Sequence, residues 1–286
     1  MTALTTHGER LLEIDGVELC VEAFGDRTDP PILLVAGGSA SMLWWDVELC
    51  ERIAAGSRYV VRYDHRDTGR STSYPPAEPG YSYTDLARDM FGIQQALGIG
   101  RAHLVCQSMF GGIGLIAAVD HPDRVASLTF VAGSTGAPGL PPPANKLAAE
   151  LPAGPDPADS ASVVEYVVGT ARAYAGGSPY FDEAATRAMV ERDVARARNY
   201  ASTLVNHYAI EVDRPIRGGF GDIAVPTLVV HGDHDPLLPL PHGEALRDAI
   251  PGAELLVLAG AGHDLPGPVW DAFVPALIRH TGRGRS

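Results

Sequence analysis

The sequence predicts an α/β fold: a mostly parallel central sheet flanked by helices, with a helical cap inserted after the sixth strand. Three observations carry that expectation. Short β-branched or leucine-rich runs bounded by glycine and proline alternate with helix-length amphipathic stretches, the pattern of βαβ units. Some runs are apolar throughout, as in Pro31-Ile32-Leu33-Leu34-Val35-Ala36 and Thr227-Leu228-Val229-Val230, which marks strands covered on both faces. The rhythm breaks once, from Gly136 to Pro157, in a stretch rich in Pro, Gly and Ala, and resumes at Val225.

The strands expected in order are Val17–Ala23, Pro31–Ala36, Tyr59–Tyr63, Ala102–Cys106, Ser127–Ala132, Pro226–His231 and Glu254–Leu258. Helices fall between them at about 44–55, 83–97, 109–120, 241–250 and 268–280. Two further helices, about 160–175 and 182–204, lie inside the interruption, where Val163, Val167 and Ala171 recur at helical spacing. The expected organisation is therefore one core built from 1–136 and 221–286, with 137–220 as a helical cap or lid.

A chain of 286 residues with 45% hydrophobic and 20% charged residues is long enough to bury a large core and does not have a disordered profile. The net charge of −13, with no Lys/Arg-rich run, argues against nucleic acid as a partner. Met1 to Arg10 is polar where a secretory signal needs an apolar stretch, and no apolar run reaches bilayer-spanning length, so neither export nor a membrane partner is expected. The three cysteines, Cys20, Cys50 and Cys106, are odd in number and lack metal-ligand spacing. Reduced thiols in a cytoplasm, no metal and no cofactor are the resulting expectations.

Leu104-Val105-Cys106-Gln107-Ser108-Met109-Phe110-Gly111-Gly112 puts one serine between a buried strand and an apolar helix, the place of a nucleophile elbow. There a sharp turn lifts the hydroxyl clear of the sheet, toward a base and toward dipoles that can stabilise an oxyanion. A serine at a helix start is also an ordinary N-cap, so a catalytic role needs partners farther along the chain. After one buried strand comes His231-Gly232-Asp233-His234-Asp235-Pro236, and after the next comes Gly260-Ala261-Gly262-His263-Asp264. The order Ser, Asp, His at successive strand ends assigns Ser108 as nucleophile, His263 as general base and Asp235 as the acid that holds its tautomer. Asp233 is the rival acid, two residues earlier. The oxyanion donors are expected at the backbone amides of Met109 and, in the Ala36-Gly37-Gly38-Ser39 loop, Gly38.

These motifs resemble the α/β-hydrolase family, and within it the aclacinomycin methylesterase group of esterases from aromatic-polyketide pathways. The likeness covers nearly the whole chain: Leu33 to Gly38 with Trp45, Arg62 to Thr72, Arg101-Ala102-His103 with Ser108-Met109, Pro226 to Val229, Asp235-Pro236, Pro241-His242-Gly243 and His263. Tyr63–Thr72 is its most specific part, and Asp64 to Ser71 is implied to be a structural loop without chemistry. The resemblance implies the α/β-hydrolase fold, the same Ser108–Asp235–His263 triad, and the Gly38 and Met109 amides as oxyanion donors.

One departure stands out. The family elbow reads glycine, any residue, serine, any residue, glycine, whereas this chain has Cys106 and Phe110 at the glycine positions. Phe110 is expected to need the space beside Gly111, Gly112 and Gly114 and to crowd the oxyanion hole. Two functions compete. The first is a serine hydrolase cleaving a carboxylic ester of a bulky, apolar, polyketide-like small molecule, with Trp44, Trp45, Phe110 and Tyr208, alongside Tyr200 and Trp270, as candidate pocket aromatics. The alternative is a non-hydrolytic enzyme of the same fold, a cyclase or decarboxylase, made by the altered elbow. Cys106 as nucleophile is disfavoured, because it lies in the strand before the turn.

Overall fold

In the computed structural model, which describes residues 7–211 and 217–282, eight strands form one sheet in the order β1-β2-β4-β3-β5-β6-β7-β8. The first six residues of the polar N-terminal segment, 212–216 of the inserted stretch and 283–286 lie outside the described residues. The strands are β1 His7–Ile14, β2 Val17–Phe24, β3 Pro31–Val35, β4 Tyr59–Tyr63, β5 Ala102–Gln107, β6 Val125–Val131, β7 Thr227–Gly232 and β8 Glu254–Leu258. From β4 to β8 across the sheet every pairing is parallel, while β1–β2 and β2–β4 are antiparallel.

Nine α-helices complete the described residues: α1 Val47–Ala55, α2 Tyr83–Ala96, α3 Gly111–Asp120, α4 Leu147–Glu150, α5 Ser160–Tyr174, α6 Glu183–Arg196, α7 Tyr200–Val205, α8 Pro241–Ala249 and α9 Trp270–Thr281. Successive side chains of a strand point to opposite faces, which splits the core in two. Leu33, Val35, Leu104 and Cys106 pack with Met90 and Ile93 of α2 and Ile113 of α3. Ile32, Leu34 and Val105 pack with Leu49 and Ile53 of α1 and Phe273 and Leu277 of α9. Both faces of the central strands are buried, as their continuous apolar runs require.

Four elements depart from the sequence expectation, one of them the short α4, which lies inside the Pro-, Gly- and Ala-rich stretch where no helix was expected. β1 is an additional strand: its residues carry no apolar run, and it forms as the edge partner of β2 through Asp15-Gly16, a two-residue turn with both residues at positive φ. The helix expected over 182–204 is two, broken at 197–199, where Ala197 is extended and the Arg198 N–H donates to the Gly69 carbonyl. No glycine or proline marks that break; a tertiary contact imposes it. The first expected helix starts at Val47, preceded by a short 3₁₀ turn at Met42–Trp44.

The topology positions the site. β3 lies between β4 and β5, so successive connections leave in opposite directions and open a crevice at the carboxyl ends of β3 and β5. The register pairs Val35 with Cys106, which sets the Gly37-Gly38 loop beside the turn at Ser108.

Candidate active site

Ser108 follows β5 with φ of +51°, a left-handed conformation that is costly for a side chain bearing Cβ. It is held there by a strand on one side and a 3₁₀ turn leading into α3 on the other. His263 stands in the loop after β8 and Asp235 in the loop after β7. The three meet. His263 Nδ1 lies 2.7 Å from Asp235 Oδ2, and His263 Nε2 lies 2.8 Å from Ser108 Oγ. A carboxylate can only accept, so Nδ1 carries the proton and the Nε2 lone pair accepts from the serine hydroxyl.

Asp235 also does the turn work expected of an aspartate before proline: its Oδ1 accepts the Leu237 and Leu238 amides at 2.9 and 2.8 Å. The side chain is thereby aimed by its own loop. Asp233, the rival, is exposed, and its Oδ1 accepts the Gly260 amide at 2.7 Å, tying the acid loop to the base loop. His231 lies 3.6 Å from Asp235. Burial, partly countered by a hydrogen bond to the Leu238 carbonyl, keeps its pKa below the ordinary value, so it stays neutral beside the carboxylate.

The expected oxyanion donors come from neighbouring segments. A Cβ placed on Gly37 would stand 3.4 Å from the Ser108 Cβ, and one on Gly38 would stand 2.9 Å from the Met109 Sδ. The loop therefore lies directly over the elbow, a closeness that glycine permits. From beneath, the Tyr83 hydroxyl donates to the Met109 carbonyl.

The elbow substitutions are accommodated in a way the sequence did not suggest. Cys106 faces α3 at Gly114, where an added Cβ would stand 2.9 Å from its sulfur. The glycine of the helix, in place of a glycine of the strand, supplies the room. Cys106 is 0% exposed, and that burial pushes its thiol above the ordinary pKa, so both access and charge disfavour it as a nucleophile. A Cβ on Gly112 would meet the Tyr83 hydroxyl at 2.8 Å and one on Gly111 would meet the Phe130 ring at 3.2 Å, so these glycines let Tyr83 and Phe130 approach the helix start.

Phe110 itself corrects two expectations. Its side chain is 0% exposed and packs in the core against His65, His207 and Tyr83, with ring centroids 4.5, 4.9 and 5.8 Å away. It neither projects into the oxyanion hole nor presents a surface to a ligand. Trp45, 1% exposed, is likewise core and not pocket, packed in the cluster with Leu49 and Ile53. Tyr200 and Trp270 are also buried. Trp44 packs against Val164, Val168 and Val190 of α5 and α6, and Tyr208 is 62% exposed.

Residues that the sequence did not single out complete the surroundings. The Tyr174 ring sits edge-on to His263 at 5.7 Å, and its carbonyl accepts the His263 amide at 3.0 Å. Its phenol is pushed up to about 12, chiefly by burial, with Tyr208, Tyr166 and Asp235 nearby. His207, beyond α7, accepts the Ser39 amide. Neither had a sequence signal, since both belong to the inserted segment and meet the site only through folding.

A family model described as alpha/beta hydrolase fold matches residues 30–266. The chain is 32% identical to rhodomycin D methylesterase DauP of Streptomyces sp. (strain C5), over 95% of this chain and 97% of that protein. It is 31% identical to rhodomycin D methylesterase DnrP of Streptomyces peucetius, with the same coverage of 95% and 97%. Among solved structures, an esterase from Exiguobacterium antarcticum superimposes with a TM-score of 0.71 at 22% identity, covering 95% of this chain and 98% of that one. With a parallel sheet, an elbow after β5 and relatives aligned nearly end to end, the chain belongs to the α/β-hydrolase fold family.

Proposed function

We propose that the protein is a serine hydrolase that cleaves a carboxylic ester, a methyl ester, of a bulky apolar polyketide-like small molecule through an acyl-enzyme. The observation that carries this is the continuous relay from Ser108 Oγ through His263 to Asp235, with both hydrogen bonds at 2.8 Å or less. His263 Nε2 takes the Ser108 proton as Oγ attacks the ester carbon, and Asp235 stabilises the imidazolium. The oxyanion forms where the Gly38 and Met109 amides converge. His263 returns the proton to the departing methoxide, and water then releases the acid by the same steps in reverse order.

The substrate class rests on the two relatives, each named a rhodomycin D methylesterase. A cyclase or decarboxylase had its ground in a displaced elbow, and with Cys106 seated against Gly114 and Phe110 in the core that ground is gone. The segment 137–220 acts as the lid of the site, supported by the contacts of Tyr174 with His263 and of His207 with Ser39. Among the described residues no helix is long and apolar enough to cross a membrane. The proposed location, the cytoplasm, is supported by the three cysteines, which are free thiols.

The test is methanol counting. A tricyclic or tetracyclic aromatic methyl ester should release stoichiometric methanol, and a short activated ester should turn over more slowly, because binding energy from the rings positions the ester. Ser108→Ala and His263→Ala should each cost several orders of magnitude, with little added loss in the double variant. Near wild-type turnover in Ser108→Ala would end the covalent mechanism. Tight binding of the polycyclic ester without methanol would end the esterase assignment.

A further inference from the structure

His207 lies just past α7, in the segment between β6 and β7, yet its imidazole reaches the loop that carries Gly38. The Ser39 N–H donates to His207 Nδ1 at 2.9 Å, and His207 Nε2 lies 2.9 Å from the Arg66 carbonyl. An amide can only donate and a carbonyl only accept, so the ring is held as the Nε2–H tautomer. Two backbone groups thus set both its orientation and its protonation.

Ser39 is a non-glycine residue at φ +60°. That conformation is unfavourable for a residue bearing Cβ and persists only where surrounding contacts over-determine it. The turn is closed on one side by the Ala40 amide on the Gly37 carbonyl at 3.2 Å. On the other side the Ser39 amide turns outward to the imidazole. The Ser39 N–H belongs to the Gly38–Ser39 peptide, one link past the Gly37–Gly38 peptide that carries the Gly38 N–H, so this hydrogen bond anchors the loop at the residue next to the expected oxyanion donor.

The same ring packs edge-on against Phe110, the residue after Met109, at 4.9 Å and 75°. One imidazole therefore touches both chain segments that converge on the oxyanion. Its own backbone is pinned: the Asn206 side chain donates to Asp67 Oδ2 at 2.8 Å and to the Pro75 carbonyl at 3.1 Å, and accepts the Ala77 amide at 2.7 Å. Burial keeps the imidazole neutral down to about pH 4, so the acceptor lone pair is present throughout the neutral range.

We propose that His207 is a positioning residue for the oxyanion hole, its Nδ1 lone pair holding the Ser39 amide so that the Gly38 amide faces Ser108. The proposal rests on the acyl-enzyme mechanism above. It makes the inserted segment a part of the catalytic geometry as well as a cover.

Two polar variants separate the hydrogen bonds. His207→Asn presents an acceptor near the place of Nδ1 and gives up the Arg66 contact, while His207→Gln reaches the place of Nε2 and gives up the Ser39 contact. The full-length protein is labelled at Ser108 with a fluorophosphonate, and kcat and KM are measured with 4-nitrophenyl acetate. Loss of oxyanion alignment should slow labelling and kcat in His207→Gln on the order of tenfold with KM little changed, and His207→Asn should recover most of the rate. Equal rates in the two variants, a slower Asn than Gln variant, or an effect confined to KM would overturn the assignment. Absence of labelling in the wild-type protein would instead overturn the acyl-enzyme mechanism, and this proposal with it.

Discussion

Replacing Phe110 by glycine restores the family elbow in sequence, and the structure predicts that it damages the protein without helping catalysis. The side chain is wholly buried among His65, His207 and Tyr83. Emptying such a site to alanine costs about 3–5 kcal/mol, because the transfer term and the cavity term add. Glycine adds roughly 0.5–1 kcal/mol of backbone entropy and gains nothing in return, since Phe110 already has φ −87° and ψ 11°, open to any residue. The total, about 4–6 kcal/mol, is a large part of the roughly 5–15 kcal/mol that stabilises a typical domain.

At roughly 2–4 °C per kcal/mol for a chain of this size, Tm should fall by more than about 8 °C. Urea unfolding followed by circular dichroism reads the stability, and fluorophosphonate labelling of Ser108 reads the elbow. In conditions where the variant is still folded, labelling should be no faster than in the wild type. A Phe110→Gly protein within about 1 kcal/mol of wild type that labels faster would refute the placement of this ring in the core and return it to the oxyanion hole.

Two further outcomes are open to direct measurement. Arg196→Met removes the guanidinium that lies 2.7 Å from both Asp64 and Glu9, leaving the fully buried Asp64 carboxylate, among the described residues, with the Met42 and Arg70 amides. Breaking a buried pair from one side should cost about 3–5 kcal/mol, and a partial recovery on adding Asp64→Asn would show that the orphaned charge is the cause; a loss below about 1 kcal/mol would not fit. Asp193 is buried, and that burial first, with the Asp64 charge adding to it, lifts its pKa from 3.8 to about 6. The folded state thus holds this proton more tightly than the unfolded one, so the contribution to stability is present below pH 3.8 and lost as pH rises through about 6. Asp193→Asn should therefore be more stable than wild type above pH 6, by on the order of 3 kcal/mol, with the advantage vanishing near pH 4; a gain independent of pH would count against the titration of this carboxyl.

Much of the architecture was legible before folding. Continuous apolar runs such as Ile32–Val35 and Leu228–Val230, short and bounded by glycine or proline, point to strands covered on both faces, and their alternation with helices points to a parallel sheet. A parallel sheet sends the loops after β5, β7 and β8 to one edge, so the spacing of Ser108, Asp235 and His263 along the chain was enough to expect their convergence. The choice of Asp235 over Asp233 also came from position along the loop, and the 2.7 Å contact with His263 is where that position leads.

What depended on the tertiary structure is which partner each side chain meets. Periodicity records that Phe110 is apolar and sits at the start of a helix; it does not record that the 3₁₀ turn over Ser108–Phe110 aims the ring inward at His65 and His207, residues 45 positions upstream and 97 downstream. The room for Cys106 comes from Gly114 on the facing helix, a contact set by how closely α3 lies on β5. The break between α6 and α7 has no glycine or proline to announce it, because Arg196 and Arg198 are drawn to Asp64 and Gly69 across the fold. His207 reaches Ser39 from 168 residues away in the chain. Local sequence sets which face of an element is buried through the free energy of removing apolar surface from water, a term without direction. The identity of the neighbour is set by close packing and by hydrogen bonds with fixed geometry, and these exist only once distant segments have met.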